Sequence, residues 1–136
     1  MTNQPLVLFV NGTLMRGLAL HANLAGAEFL EACATAPRYR LYSIDDVHPG
    51  MFEVDPDREH GVSVSGELYQ VPPAVLERVQ AGEPPGLYLG QVHLSDGRLV
   101  QGVLFPRELA EGRHTDISRY GGWREYLAAR GTDTLR

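Results

Sequence analysis

The sequence predicts a small α+β domain, with a curved or barrel-like mixed sheet and a few helices on its outside. Three observations carry this. Segments of strand type outnumber segments of helical period. Most follow one another across tight turns, and 15 Gly and 9 Pro in 136 residues supply the turn chemistry. No regular strand–helix–strand alternation runs along the chain, which disfavours a dinucleotide-binding fold.

Residues 6–11 read as a first strand, and their continuous apolar run suggests burial on both faces. Leu18 to Leu24 reads as a short helix ending near Gly26, and Glu28 to Ala36 as a strand leaving a turn. Arg38 to Ile44 alternates large apolar with polar residues, as a half-buried strand does. Asp45 to Gly50 is expected to be a loop, Met51 to Val54 a short strand, and Asp55 to Gly61 an exposed turn. Val62 to Val71 alternates most cleanly of all. Pro72-Pro73 opens a helix over Ala74–Gln80, and Gly82-Glu83-Pro84-Pro85-Gly86 requires a shaped loop. Tyr88–Leu94 and Leu99–Phe105 form a hairpin across Ser95-Asp96-Gly97-Arg98. Asp116 to Arg130 reads as a closing helix, docked by Trp123, Tyr126 and Leu127, and 131–136 as a frayed tail.

A chain of 136 residues, 43% hydrophobic, suits one domain over residues 1–130. The net charge is −5 and the basic residues are scattered, which argues against a nucleic-acid groove. No apolar run reaches bilayer length. The start, Met-Thr-Asn-Gln-Pro, lacks the positive region of a signal peptide. Cys33 is alone, so no internal disulfide forms, and a cytoplasmic location is expected.

Chemistry concentrates in Val7-Leu8-Phe9-Val10-Asn11-Gly12-Thr13-Leu14-Met15-Arg16-Gly17. A strand running through a small polar turn leaves backbone N–H groups unpaired, and such groups suit a carboxylate or an oxyanion. Asn11, Gly12, Thr13 and Leu14 would form that cradle, with Gly12 allowing close approach; the bland reading is a mere chain reversal. Arg16 would pair with a substrate carboxylate or simply cover the surface. Glu67 shares a strand face with Ser65 and Tyr69, so it offers either a pocket carboxylate or a solvated outer side chain. Glu83 is held between Gly82 and Pro84-Pro85, as an aimed side chain or a solvated one. Tyr88 and Tyr69 would wall a pocket or fill core. His48 could exchange protons near neutral pH, although a loop histidine is commonly just exposed. His21, His60, His93 and His114 lack ligand spacing, so no metal is expected.

These pieces resemble, in order, the gamma-glutamylcyclotransferase-like superfamily, and within it the branch related to the allophanate hydrolase C-terminal domain. Phe9 to Gly17 is similar to that superfamily's Tyr-Gly-Ser/Thr-Leu loop, with Asn11 in place of the tyrosine. Tyr39-Arg40-Leu41-Tyr42, Pro49-Gly50-Met51 and Val64-Ser65-Gly66-Glu67-Leu68-Tyr69 resemble its next strands. Leu76 to Val79, Glu83 and Tyr88 resemble the helix, acidic loop and tyrosine that close its site, and Pro84 to Gly90 is closer to the allophanate branch. The resemblance implies a small β-barrel with one pocket at its mouth. It implies a small-molecule substrate bearing a carboxylate, no cofactor, and Glu83 as general acid/base. The implied reaction is cyclisation of a γ-glutamyl amine or amide to 5-oxoproline. The alternatives are action on a small carboxylated urea or amide, and a non-catalytic ligand-binding or oligomerisation module. Oligomeric state stays open.

Overall fold

The fold is assembled on β1 (Leu6–Val10). This strand pairs antiparallel with β5 (Ser65–Val71), Leu6 opposite Val71 and Val10 opposite Glu67. On its other side it pairs parallel with β7 (Leu99–Leu104). With β2 (Glu28–Ala34) beyond β5 and β6 (Tyr88–His93) beyond β7, the sheet order is β2-β5-β1-β7-β6. A second sheet, β4-β3-β8, comprises β3 (Tyr39–Ile44), β4 (His48–Glu53) and the two-residue β8 (Thr115–Asp116). The helices are α1 (Pro73–Gly82), α2 (Arg107–Ala110) and α3 (Trp123–Thr134), with 3₁₀ turns at His21–Leu24 and Ser118–Tyr120. The computed structural model describes residues 6–18, 20–82 and 84–134, with side chains to residue 130.

The α+β class and the mixed sheet follow the expectation. The barrel does not, because the two sheets are not closed into one cylinder. The edge strands β2 and β6 meet only at their ends, through the Thr35–Leu94 bridge and the Ala36 N–H to His93 carbonyl bond. Earlier in β2 the register slips between Phe29 and Glu31, which bends that strand and leaves its first five residues exposed. The sheets are joined where Phe105 N–H donates to the Met51 carbonyl at 2.9 Å.

Between the layers lies a core of Leu8, Phe9, Val10, Leu41, Leu68, Val92 and Trp123, all at most 2% exposed. Gly66 is required there: a Cβ would collide with the Val10 carbonyl and the Phe9 ring, so glycine lets β5 close on β1. A smaller cluster of Tyr42, Ile44, Phe52, Val54, Phe105 and Ala110 fills the outer side of the second sheet.

Three local expectations give way. The loop expected over Asp45–Gly50 shrinks to a tight turn, with Asp45 and Asp46 at φ 56° and 60°, so His48, Pro49 and Gly50 belong to β4. The helix expected from Leu18 is a short 3₁₀ turn, His21–Leu24, entered by consecutive turns. The closing segment is broken: β8 and a 3₁₀ turn occupy its first half, and left-handed Gly121 (φ 77°) ends that turn before α3 starts at Trp123. Backbone helix then continues to Thr134. Trp123 is 2% exposed and Leu127 packs against the same core, which docks α3 on the body of the domain.

Candidate functional site

The end of β1 delivers Asn11–Leu14 into a narrow, partly open pocket with a cavity volume of about 20 Å³. These four residues form one wall and His48 and Pro49 of β4 the facing one, with Val10, Leu87 and Val103 completing an apolar lining. The first turn of the loop closes with Met15 N–H on the Gly12 carbonyl at 3.0 Å. Among the described residues, no protein acceptor takes the N–H of Gly12, Thr13 or Leu14. The cradle therefore has free donors beside a partly enclosed space, where an anion is bound more strongly than in open water.

Gly12 is dictated by packing. A Cβ there would lie 2.7 Å from both Cγ and Cδ of Pro49, so only glycine allows the two walls to meet. Asn11 is 5% exposed, and its Nδ2 donates to Met51 Sδ at 3.3 Å, leaving Oδ1 without a donor among the described residues. His48 is equally buried, and its Nδ1 lies 2.9 Å from the Pro49 carbonyl. A carbonyl only accepts, so Nδ1 carries the proton. Nε2 is then the end left for chemistry, and no group among the described residues bonds it. An edge-on contact with Phe105, 6.0 Å between ring centroids, holds the imidazole plane.

Arg16 and Glu67 do not line this pocket. They sit on the other side of the same loop, and the two possibilities open for each resolve in an unexpected way. Glu67 is 3% exposed and fully engaged. Its Oε1 accepts from the Arg16 N–H at 3.0 Å and the Tyr69 hydroxyl at 2.9 Å. Its Oε2 accepts from Arg16 Nε at 3.1 Å and Arg124 Nη2 at 3.0 Å. Burial pushes the Glu67 carboxyl up, but these donors outweigh it and the net shift is downward. Burial and the neighbouring carboxylate push the Tyr69 hydroxyl up. Arg124 Nη2 also donates to the Arg16 carbonyl at 2.7 Å, so α3 and β5 together clamp the loop. Arg124 carries no local signal in the sequence, because its partner lies 57 residues away.

Tyr88 is half exposed and lines an adjoining cleft that shares Leu87 and Val103 with the first pocket. Glu83 lies outside the described residues. Leu87 and Val103 carried no sequence signal beyond apolar character. Burial pushes the Cys33 thiol up to about 11, with Glu31 adding to it, so it is not an activated nucleophile. Among the described residues, no three His, Cys, Asp or Glu side chains are placed to hold a metal, and no helix is long and apolar enough to cross a membrane.

Residues 6–128 match the family described as the allophanate hydrolase C-terminal domain. The chain belongs to that family. Among solved structures it is similar to c4763, a uropathogenic E. coli-specific protein, with 43% identity, 91% of this chain and 96% of that one covered, and TM-score 0.84. It is also similar to Kluyveromyces lactis allophanate hydrolase, with 27% identity, 92% of this chain but only 21% of that one covered, and TM-score 0.82. A mouse AIG2-like protein shares the fold at 22% identity and TM-score 0.59, with 80% of this chain and 81% of that one covered. No curated protein matches in sequence.

Proposed function

We propose that this domain breaks down a small carboxylated urea or amide by proton transfer, with His48 as the proton carrier. One observation carries the reading: a buried imidazole with a fixed tautomer faces a loop of unpaired N–H groups across one small pocket. Allophanate, from which the Kluyveromyces lactis hydrolase takes its name, is a urea bearing a carboxylate on nitrogen. A ligand of that class fits a site with amide donors for its oxygens and no aromatic wall. The Gly12–Leu14 amides bind the carboxylate or carbonyl oxygen, and Asn11 Oδ1 accepts from a ligand N–H. When the carboxylated C–N bond breaks, its electron pair stays on nitrogen and carbon dioxide leaves. Protonated His48 gives that nitrogen the proton from Nε2, and the ring is reprotonated from water.

Cyclisation of a γ-glutamyl amine, with Glu83 as acid/base, is the rival reading, and both are tested together. The protein is incubated with allophanate, N-carboxylated amides and γ-glutamyl amines, and carbon dioxide, ammonia and 5-oxoproline are measured. His48→Asn keeps a donor where Nδ1 stands and removes the basic nitrogen. Release of carbon dioxide or ammonia should fall about a hundredfold or more. Binding of malonamate, an unreactive methylene analogue of allophanate, should persist. Undiminished turnover in His48→Asn removes His48 from the mechanism. Formation of 5-oxoproline, lost in Glu83→Gln, establishes cyclisation instead. Malonamate binding without turnover of any compound favours the binding module.

A further inference from the structure

The cleft behind the cradle loop is lined by Arg16, His21, Leu24, Gly26, Phe29 and Tyr69. It is separate from the pocket of Asn11 and His48, and the proposed function assigns it no task. Two polar groups in it are anchored at one nitrogen, and each keeps a free end. Arg16 is fixed by its Nε on Glu67, and its guanidinium carbon lies 3.9 Å from the centre of the Phe29 ring. Neither terminal amino group of Arg16 has a protein acceptor among the described residues. His21 is fixed by Nδ1, 3.0 Å from the Leu14 carbonyl. That carbonyl can only accept, so Nε2 is left open. The charges point the same way: Arg16 and Arg124 share one carboxylate, Glu67, which leaves one positive charge unbalanced. The rest of the lining is apolar or aromatic.

Groups whose conformational entropy is already lost, but whose hydrogen bonds are not yet made, are what a binding site holds ready. A planar two-donor guanidinium matches the two oxygens of a carboxylate or the edge of a phosphate. We propose that this cleft is a second ligand site, for an oxyanion attached to a short apolar or aromatic group. The oxyanion sits on the Arg16 amino groups, a hydroxyl or N–H of the ligand donates to His21 Nε2, and the apolar part lies along Phe29. The inference does not depend on the reaction assigned to the first pocket.

Backbone NMR titration of the full chain tests it with four probes: benzoate, phenyl phosphate, inorganic phosphate and uncharged benzyl alcohol. Benzoate or phenyl phosphate should shift the amides of Arg16, Gly26, Ala27 and Phe29 saturably. Which of the two binds tighter tells a carboxylate from a phosphate ligand. Inorganic phosphate and benzyl alcohol should bind at least several-fold more weakly, because each lacks half of the match. Arg16→Gln should weaken binding about tenfold or more, the worth of one charge-assisted bond. If that variant fails to fold, Phe29→Ser provides the test, since it changes an exposed ring and leaves Arg16 on Glu67. Shifts confined to Asn11–Leu14 and His48, no saturable shift at all, or unchanged affinity in folded Arg16→Gln or in Phe29→Ser would each overturn the proposal.

Discussion

At the scale of single residues, Gly12 and His48 show how a pocket is built from contact distance. With Pro49 carbons 2.7 Å from where a Cβ would stand, and a proline ring that cannot rotate away, Gly12→Ala must push the cradle loop away from β4. Overpacking of this kind costs about 1–3 kcal/mol. Urea denaturation should show that loss, and malonamate affinity should fall with it as the cradle moves. An alanine variant of wild-type stability would mean that the walls do not touch as described. His48 illustrates a different limit on reading the chain. In sequence it stands after Asp45-Asp46 and reads as a loop residue. The left-handed turn at those two aspartates shortens the loop and turns the histidine inward, to 5% exposure. That conformation suits Asp and Asn better than other non-glycine residues, so a local cue existed. Its consequence for His48 did not, because burial depends on where β1 and β7 pass.

At the scale of elements, β5 serves as a clamp. Ser65, Glu67 and Tyr69 do share a face, as alternation requires, and Tyr69 donates to Glu67 two residues away. The carboxylate then ties β5 to the loop after β1 and, through Arg124, to α3. Glu67→Gln keeps the shape but loses the charge. Because both arginines are about half exposed and can return to water, the cost should be about 1–3 kcal/mol rather than that of a fully buried pair. Its pH dependence follows from the depressed carboxyl. The native state binds this proton less readily than the unfolded chain does, so the charged form contributes its full stability above the ordinary glutamate pKa. That contribution is lost as pH falls through the lower folded value. Denaturation of wild type and Glu67→Gln across acid pH should therefore converge as pH falls. A gap that stays constant down to strongly acid pH would contradict the clamp.

At the scale of the whole molecule, α3 closes the domain from the end of the chain. Trp123 enters the main core at 2% exposure, with the Tyr126 ring 5.6 Å away between centroids. Trp123→Ala should cost roughly 3–5 kcal/mol, the range for removing a buried large aromatic. Leu127→Ala should cost clearly less, because Leu127 is only partly buried. Equal stability of Trp123→Ala and wild type would detach α3 from the fold. Trp123→Ala should also lower malonamate affinity, since Arg124 at the next position holds the Arg16 carbonyl. The backbone of the same helix continues to Thr134.

What the sequence determined by itself was local. Alternation and turn residues specified most strands, the hairpin across Asp96-Gly97, α1 behind Pro73, and the turn where the first apolar strand runs into Asn-Gly-Thr. Each of these rests on a period or a backbone preference expressed within a few neighbouring residues. The tertiary structure alone decided the rest. It left the barrel open because β2 and β6 meet only at their tips. It placed His48 in the pocket, moved Arg16 to the back of the loop, and brought Arg124 to Glu67 across 57 residues. Those outcomes depend on which faces meet after strands pair, and such contacts leave no trace in the order of neighbouring residues.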